Sequence, residues 1–299
     1  MVRRWSIRIA LGAAIVLAAC ASYAALSYSP GAEHYDSPSA AAIELSAGLR
    51  SWPEHDALYP PQTDPYVLKI EHARGALLYY GAKHSRDPNY PQRSDIEKRW
   101  QAFKPTVALC EGRSRGFMIG VLFEPFTGLP EPMLVHRLAR RDNIPLFSLE
   151  PSYESEVAEL LAQWPAELVA LFFTTRVYWS ESQGHPDDGL ATKLLARRTD
   201  VDGLRRVIAS TEQLDQVWNK HFPDLASWRS RKTEPKHVFF GQVGDASREV
   251  RGEHMVRTLA DLVRKGERVM AVVGCSHVIR QEPMLRAALD APPAPDQPQ

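Results

Sequence analysis

The sequence predicts an α/β fold: a central mixed, mainly parallel sheet flanked by helices, with a largely helical insertion between two halves that each carry a Gly-x-x-His turn. Three observations predict it. Apolar runs at 76–80, 105–110, 144–149 and 269–273 have the length and composition of buried strands. Helical patterns separate them, and strand–helix–strand spacing favours parallel crossovers. Residues 153–225, by contrast, read as helix almost throughout.

Taken in order, residues 66–72 alternate weakly and turn at Ala73-Arg74-Gly75, so 66–80 reads as a hairpin entering the core. A helix is expected at 94–103, with Ser94 and Glu97 spaced as a capping box. The strand at 105–110 ends in Glu111. Residues 117–123 are apolar and read as helix without a clear period, 131–141 as helix, and the strand at 144–149 ends in Glu150. In the insertion, 154–163 and 166–179 are helices broken at Pro165, 180–189 is a loop, and 204–222 has helical periodicity. A short strand is expected at 236–240 and an amphipathic helix at 247–265, stopped by Gly266. The strand at 269–273 follows, then a helix at 282–289 and a Pro-rich disordered tail at 291–299.

The N-terminus carries its own signal. Arg3 and Arg4 precede an uncharged apolar stretch at 9–19, which ends in Leu17-Ala18-Ala19-Cys20. This resembles a bacterial lipobox, in which small residues lead to a cysteine whose thiol takes the lipid. Residues 1–19 are then a signal peptide, Cys20 is the lipidation site, and 20–64 is a Ser- and Pro-rich tether with a short helix at 39–49. The rival readings are an uncleaved anchor, since 9–26 holds about 18 uncharged residues, and ordinary secretion. A lipid or an anchor places the globular part in the cell envelope, on the periplasmic or outer face of a membrane. Such a compartment permits a disulfide between Cys110 and Cys275; two small buried residues are the alternative. Formal charge is zero over 299 residues, and there is no basic domain or basic–aromatic stripe to take a nucleic acid.

Four expected strands thus end in His84, Glu111, Glu150 and His277. Open α/β sheets place their ligand sites beyond the carboxyl ends of their strands. Two histidines with one or two carboxylates suit a divalent metal or acid–base catalysis without one. Taken singly, each histidine is also an ordinary turn residue and each glutamate a solvated loop residue. No His-Glu-x-x-His pattern is present. Arg251 and Met255 share a helix face, which gives Arg251 the reach to bind an anion or orient a carboxylate. Arg113 and Arg115 follow Glu111 closely enough for anion contact. His185, Asp187 and Asp188 read as a loop turn or, less simply, a metal cluster. Ser276 and Cys275 stand too close to His277 to pair with it as nucleophile and base.

Gly81-Ala82-Lys83-His84, Glu111, Arg251-x-x-x-Met255 and Gly274-Cys275-Ser276-His277, in this order, resemble the TraB/PrgY/GumN and TIKI superfamily. Its wider relatives include erythromycin esterases and ChaN-type haem-binding lipoproteins. The resemblance spans roughly residues 66–290. It implies an α/β fold of two related halves, with His84, Glu111 and His277 as metal ligands or bases and Arg251 as an anion partner. The expected activity is hydrolysis of a peptide or ester bond; the chain departs from the family pattern at Lys83 of its first motif, where small or hydroxyl residues are more usual.

 Lys83 sets a cation beside His84, which also admits a domain that kept the fold and lost the chemistry, acting in signalling or assembly. The metal-dependent form of the activity uses His84, Glu111 and His277 as ligands. Glu150, from its place at a strand end, and Arg113 are the expected substrate contacts. The ChaN-type alternative is a lipoprotein binding haem or another small ligand, with Tyr79 and Tyr80 as nearby haem-ligating groups. The expected partners are a membrane, through Cys20, and a peptide or small-molecule substrate.

Overall fold

The computed structural model describes residues 28–29, 31–58, 65–85, 87, 90–112, 117–118, 131–182, 185–230 and 238–290. It divides into two compact units, residues 1–150 with 254–299, and residues 151–253. In chain order the first unit begins with β1 (Tyr28–Ser29), β2 (Glu33–His34), α1 (Pro38–Ala41), α2 (Trp52–Leu58), β3 (Tyr66–Glu71) and β4 (Ala76–Ala82). It continues with α3 (Gln92–Phe103), β5 (Val107–Cys110), β6 (Phe117–Met118), α4 (Glu131–Asp142) and β7 (Leu146–Ser148). The second unit holds α5 (Tyr153–Leu161), α6 (Ala166–Glu181), α7 (Asp188–Arg198) and α8 (Thr211–His221). Helix α9 (Val238–Arg264) starts there, and its residues from His254 onward belong to the first unit, which closes with β8 (Arg268–Gly274) and α10 (Cys275–Ala288).

The main sheet has six strands in the order β2-β7-β5-β8-β4-β3. All neighbours are parallel except β3 and β4, the expected hairpin. The fold class is therefore as expected: α/β, with a mixed, mainly parallel sheet flanked by helices. Strands β4 and β5 are buried along their whole length, because a parallel sheet is covered on both faces and its strands read as continuous apolar runs. Their side chains alternate between two cores. Leu77, Tyr79, Leu109, Ala271 and Val273 face Met255, Leu259, Val263 and Leu285. Leu78, Tyr80, Ala108, Cys110, Met270 and Val272 face Ile96, Trp100, Leu134 and Leu138. The edge strand β3 buries only alternate residues at its end, which is why it read weakly in the sequence. The second unit is a helical cluster around Phe172, Trp179, Trp218, Trp228 and Phe240.

Several expectations change. The helix at 39–49 is confined to Pro38–Ala41. Residues 33–34, within the stretch read as a tether, pair with β7 and extend the sheet. Residues 117–118 form a strand pair with 28–29 rather than helix. Val238 to Phe240 lie in α9, not in a strand, so the β-propensity of the Val-Phe-Phe run yields to its context at the start of a long helix. The helix at 204–222 is confined to Thr211–His221, capped by the Ser210 hydroxyl. Part of the expected loop is helix α7, capped by Asp187, whose side chain accepts from the Leu190 amide at 2.9 Å. Asp188 pairs with Arg229, so this trio serves local structure. Helix α10 begins at Cys275, seven residues earlier than expected.

Among the described residues no helix is long and apolar enough to cross a membrane. The apolar segment at 9–19, Cys20, Arg113, Arg115 and the tail at 291–299 lie outside the described residues. Cys110 and Cys275 are both buried, and no disulfide joins them.

Candidate active site

Strands β7, β5, β8 and β4 are consecutive neighbours in the sheet, so Glu150, Glu111, His277 and His84 all follow the carboxyl ends of adjacent strands. Register brings the two Gly-x-x-His turns side by side, with Ala82 opposite Gly274. The Glu111 amide donates to the Val272 carbonyl at 3.1 Å, carrying β5 one residue beyond its last paired position and aiming the Glu111 side chain at β8.

Three of the expected residues meet there. Glu111 uses its two oxygens on two rings: Oε1 lies 3.3 Å from His277 Nε2, and Oε2 lies 3.7 Å from His84 Nε2. Oε2 also accepts from the Gly274 amide at 2.5 Å. Gly274 sits between the three groups; a Cβ there would come within 3.1 Å of His84 Nε2 and 3.2 Å of Glu111 Oε2. Burial works against ionisation of Glu111, but His277, the Gly274 amide and the charge of His84 together hold its carboxyl down at about 2.

A fourth member was missed. Glu131 opens α4 and is buried, and its Oε2 lies 3.5 Å from His84 Nδ1. Its Oε1 accepts from the Ser85 amide at 3.3 Å and from the side chain of Gln92. Gln92 in turn closes on the backbone of Lys83, accepting from its amide at 3.0 Å and donating to its carbonyl at 2.7 Å. The first Gly-x-x-His turn is thereby clamped from α3. The only signal in the sequence was a glutamate at a helix start, where the dipole favours an anion; its burial beside residue 84 depends on long-range packing. The hydrogen bond to Glu131 is the main influence raising the pKa of His84; burial opposes it, and the charges of Glu111 and Glu131 add to it. Burial opposes the ionisation of Glu131, yet its bonds to His84 and Ser85 lower its pKa.

The imidazole of His84 is the open group, with 63% of its side chain exposed against 25% for His277, 20% for Glu111 and 6% for Glu131. His277 is held from behind. Its Nδ1 faces Gln281 Nε2 at 3.4 Å, and Gln281 Oε1 accepts from the Tyr79 hydroxyl at 2.8 Å. Gln281 therefore presents a donor to Nδ1, which leaves the His277 proton on Nε2, directed at Glu111.

The remaining expectations fall elsewhere. The Glu150 side chain is buried; its backbone carbonyl accepts from His34 Nδ1 at 2.8 Å. Arg251 belongs to the other unit, where it lines a cavity of about 410 Å³ with Phe172, Arg176, Trp179, Phe240 and Arg248. Lys83 is exposed, so it does not bury a cation beside His84. Tyr79 and Tyr80 are fully buried in the sheet, and burial pushes the Tyr79 hydroxyl well above its ordinary pKa, which disfavours a haem-ligating tyrosinate. Among the described residues no group of three or more His, Cys, Asp or Glu side chains is arranged to hold a metal ion. The donors face one another rather than a common centre: Glu111 spreads over two rings, and His84 Nδ1 is turned to Glu131.

No protein-family model, curated protein or solved structure matches the chain.

Proposed function

We propose that the chain is an envelope-anchored hydrolase of carboxylic ester or peptide bonds, with His84 as general base. The observation that carries this reading is the placement of one exposed imidazole between two carboxylates, Glu131 on Nδ1 and Glu111 on the Nε2 side. A carboxylate behind a histidine steadies the imidazolium that forms when the ring takes a proton. His84 Nε2 removes a proton from water as the water oxygen attacks the carbonyl carbon. The proton then passes from His84 to the leaving alkoxide or amine as the tetrahedral intermediate collapses. Glu111 stays ionised throughout, balancing the imidazolium and fixing His277. The positive end of the α10 dipole lies at the same strand end and favours the developing oxyanion.

The resemblance to the TraB/PrgY/GumN and TIKI superfamily and the lipobox-like Cys20 support the same reading. The four side chains pair with each other, and the steps above need only protons. Two measurements test the proposal. A panel of p-nitrophenyl esters and peptide amides is expected to include a substrate, and His84→Ala is expected to lower its turnover about 10²–10⁴-fold. Unchanged turnover in that variant would remove the mechanism. Elemental analysis of the wild-type protein is expected to find no stoichiometric divalent metal; one equivalent, lost in His84→Ala, would establish the metal form instead.

A further inference from the structure

Ser276 does not pair with its neighbour His277. It pairs with a histidine 221 residues away, on the segment that read as a tether. His55 Nε2 lies 3.0 Å from Ser276 Oγ, and His55 Nδ1 lies 2.8 Å from Asp56 Oδ1. We propose that Ser276 is a nucleophile, with His55 as its base and Asp56 as the positioning carboxylate, and that it takes an acyl group from a carboxylic ester.

Four features favour the assignment. The order of atoms is that of a serine–histidine–carboxylate relay: carboxylate on Nδ1, hydroxyl on Nε2. Ser276 occupies the first turn after a central parallel strand, β8, where the positive end of the α10 dipole favours an oxyanion. The serine is partly exposed whereas the His55 ring is buried, so the hydroxyl is presented while its base is shielded. Finally, His55 is fixed. Trp52 packs edge-on against it at 5.2 Å and is covered by the Arg280 guanidinium at 4.4 Å. The same segment is tied to α10 by Arg50, which donates to the Ile279 carbonyl at 2.7 Å and pairs with the buried Glu282 at 3.1 Å. The Asp56 carboxylate is 74% exposed, so its influence is weaker than that of a buried acid.

The step balances without a cofactor. Ser276 Oγ bonds to the carbonyl carbon as its proton moves to His55 Nε2. Collapse breaks the bond to the alkoxide, which leaves with the proton from His55. Water then releases the carboxylic acid and restores the hydroxyl. This inference rests on the hydrolase reading for its substrate class, but its site is distinct from His84.

An alkyl fluorophosphonate tests it directly, because a nucleophilic serine displaces fluoride and retains the phosphonyl group. Intact-mass and peptide analysis of the wild-type protein is expected to show one adduct, on Ser276. Ser276→Ala is expected to abolish it, His55→Ala to slow it at least tenfold, and His72→Ala to leave it unchanged. Asp56→Asn, at an exposed position that leaves the fold intact, is expected to slow labelling several-fold, and Asp56→Glu to restore part of the rate. An absent adduct, an adduct on another residue, or labelling indifferent to both His55→Ala and Asp56→Asn overturns the assignment. The two proposals fail separately. Ester turnover that survives Ser276→Ala at the wild-type rate removes the nucleophile and leaves the hydrolase, while Ser276 labelling without turnover of any ester or amide removes the hydrolase and leaves a reactive serine.

Discussion

The two Gly-x-x-His turns share a spacing and differ in almost everything else. In the first, β4 runs one residue past Gly81, residues 83–85 have no regular structure, and His84 is exposed. In the second, Gly274 both ends β8 and caps α10, so His277 rides on the first turn of a helix and is less exposed. The glycines also serve different needs. A Cβ at Gly81 would come within 2.9 Å of the Cys275 Cα and the Tyr66 carbonyl, which are backbone atoms. A Cβ at Gly274 would meet the ends of the His84 and Glu111 side chains. One glycine lets the chain pack; the other leaves room for the site. The same motif thus yields an open, basic histidine and a clamped one that donates to Glu111.

The largest expected effect separates the histidines. If His84 is the base, His84→Ala removes about 10²–10⁴ of kcat, whereas His277→Gln, which keeps a donor, retains more activity than His84→Gln. Equal losses in the two Gln variants would erase the functional difference drawn between the turns.

The glycines sharpen the contrast next. Gly81→Ala forces backbone atoms apart, an overpacking cost of about 1–3 kcal/mol, and is expected to lower the melting temperature by about 3–10 °C. Gly274 has an ordinary backbone conformation, with φ of −60°. Gly274→Ala is therefore expected to melt closer to wild type while displacing the site enough to cost about 10–100-fold in turnover. The reverse pattern, read by calorimetry and steady-state kinetics, would show that the packing and site roles are misassigned.

How much of this was legible follows from distance along the chain. The 66–80 hairpin, the continuous apolar runs of the buried strands and the helical patterns of α3 to α5 all lie within short windows, and α6 was readable as one long apolar run between Pro165 and the polar stretch that follows. The convergence of His84, Glu111 and His277 could be read because strand ends collect on one edge of a parallel sheet. Glu131, Gln92 and His55 could not, since each reaches its partner by tertiary packing from a helix whose local sequence is ordinary; Gln281 lies one helical turn from His277, a relation hidden because the helix was expected only from 282. The early start of α10 was obscured by Gly274, which reads as a turn residue although glycine also serves as an N-cap. Arg251 shows the converse: a face shared with Met255 was legible, but the two residues belong to different units.

Smaller effects concern pH. Glu131 raises the pKa of His84, so the unprotonated base appears only as pH climbs above 6.5. Glu131→Gln removes that influence and is expected to move the acid limb of kcat/KM to lower pH; an unmoved limb would mean that Glu131 does not act on the base. Glu111 is depressed in the folded protein, so its contribution to stability is complete above the ordinary value of 4.5 and is lost as pH falls toward about 2. Melting temperatures of wild type and Glu111→Gln are expected to converge across that window, and parallel curves would contradict the linkage.

The central claim is that His84 stands between two ionised carboxylates, and titration of its ring by NMR tests it without a substrate. The wild-type pKa is expected above 6.5, and it is expected to fall in both Glu131→Gln and Glu111→Gln. A His84 that titrates at or below 6.5 and ignores both substitutions would contradict the account.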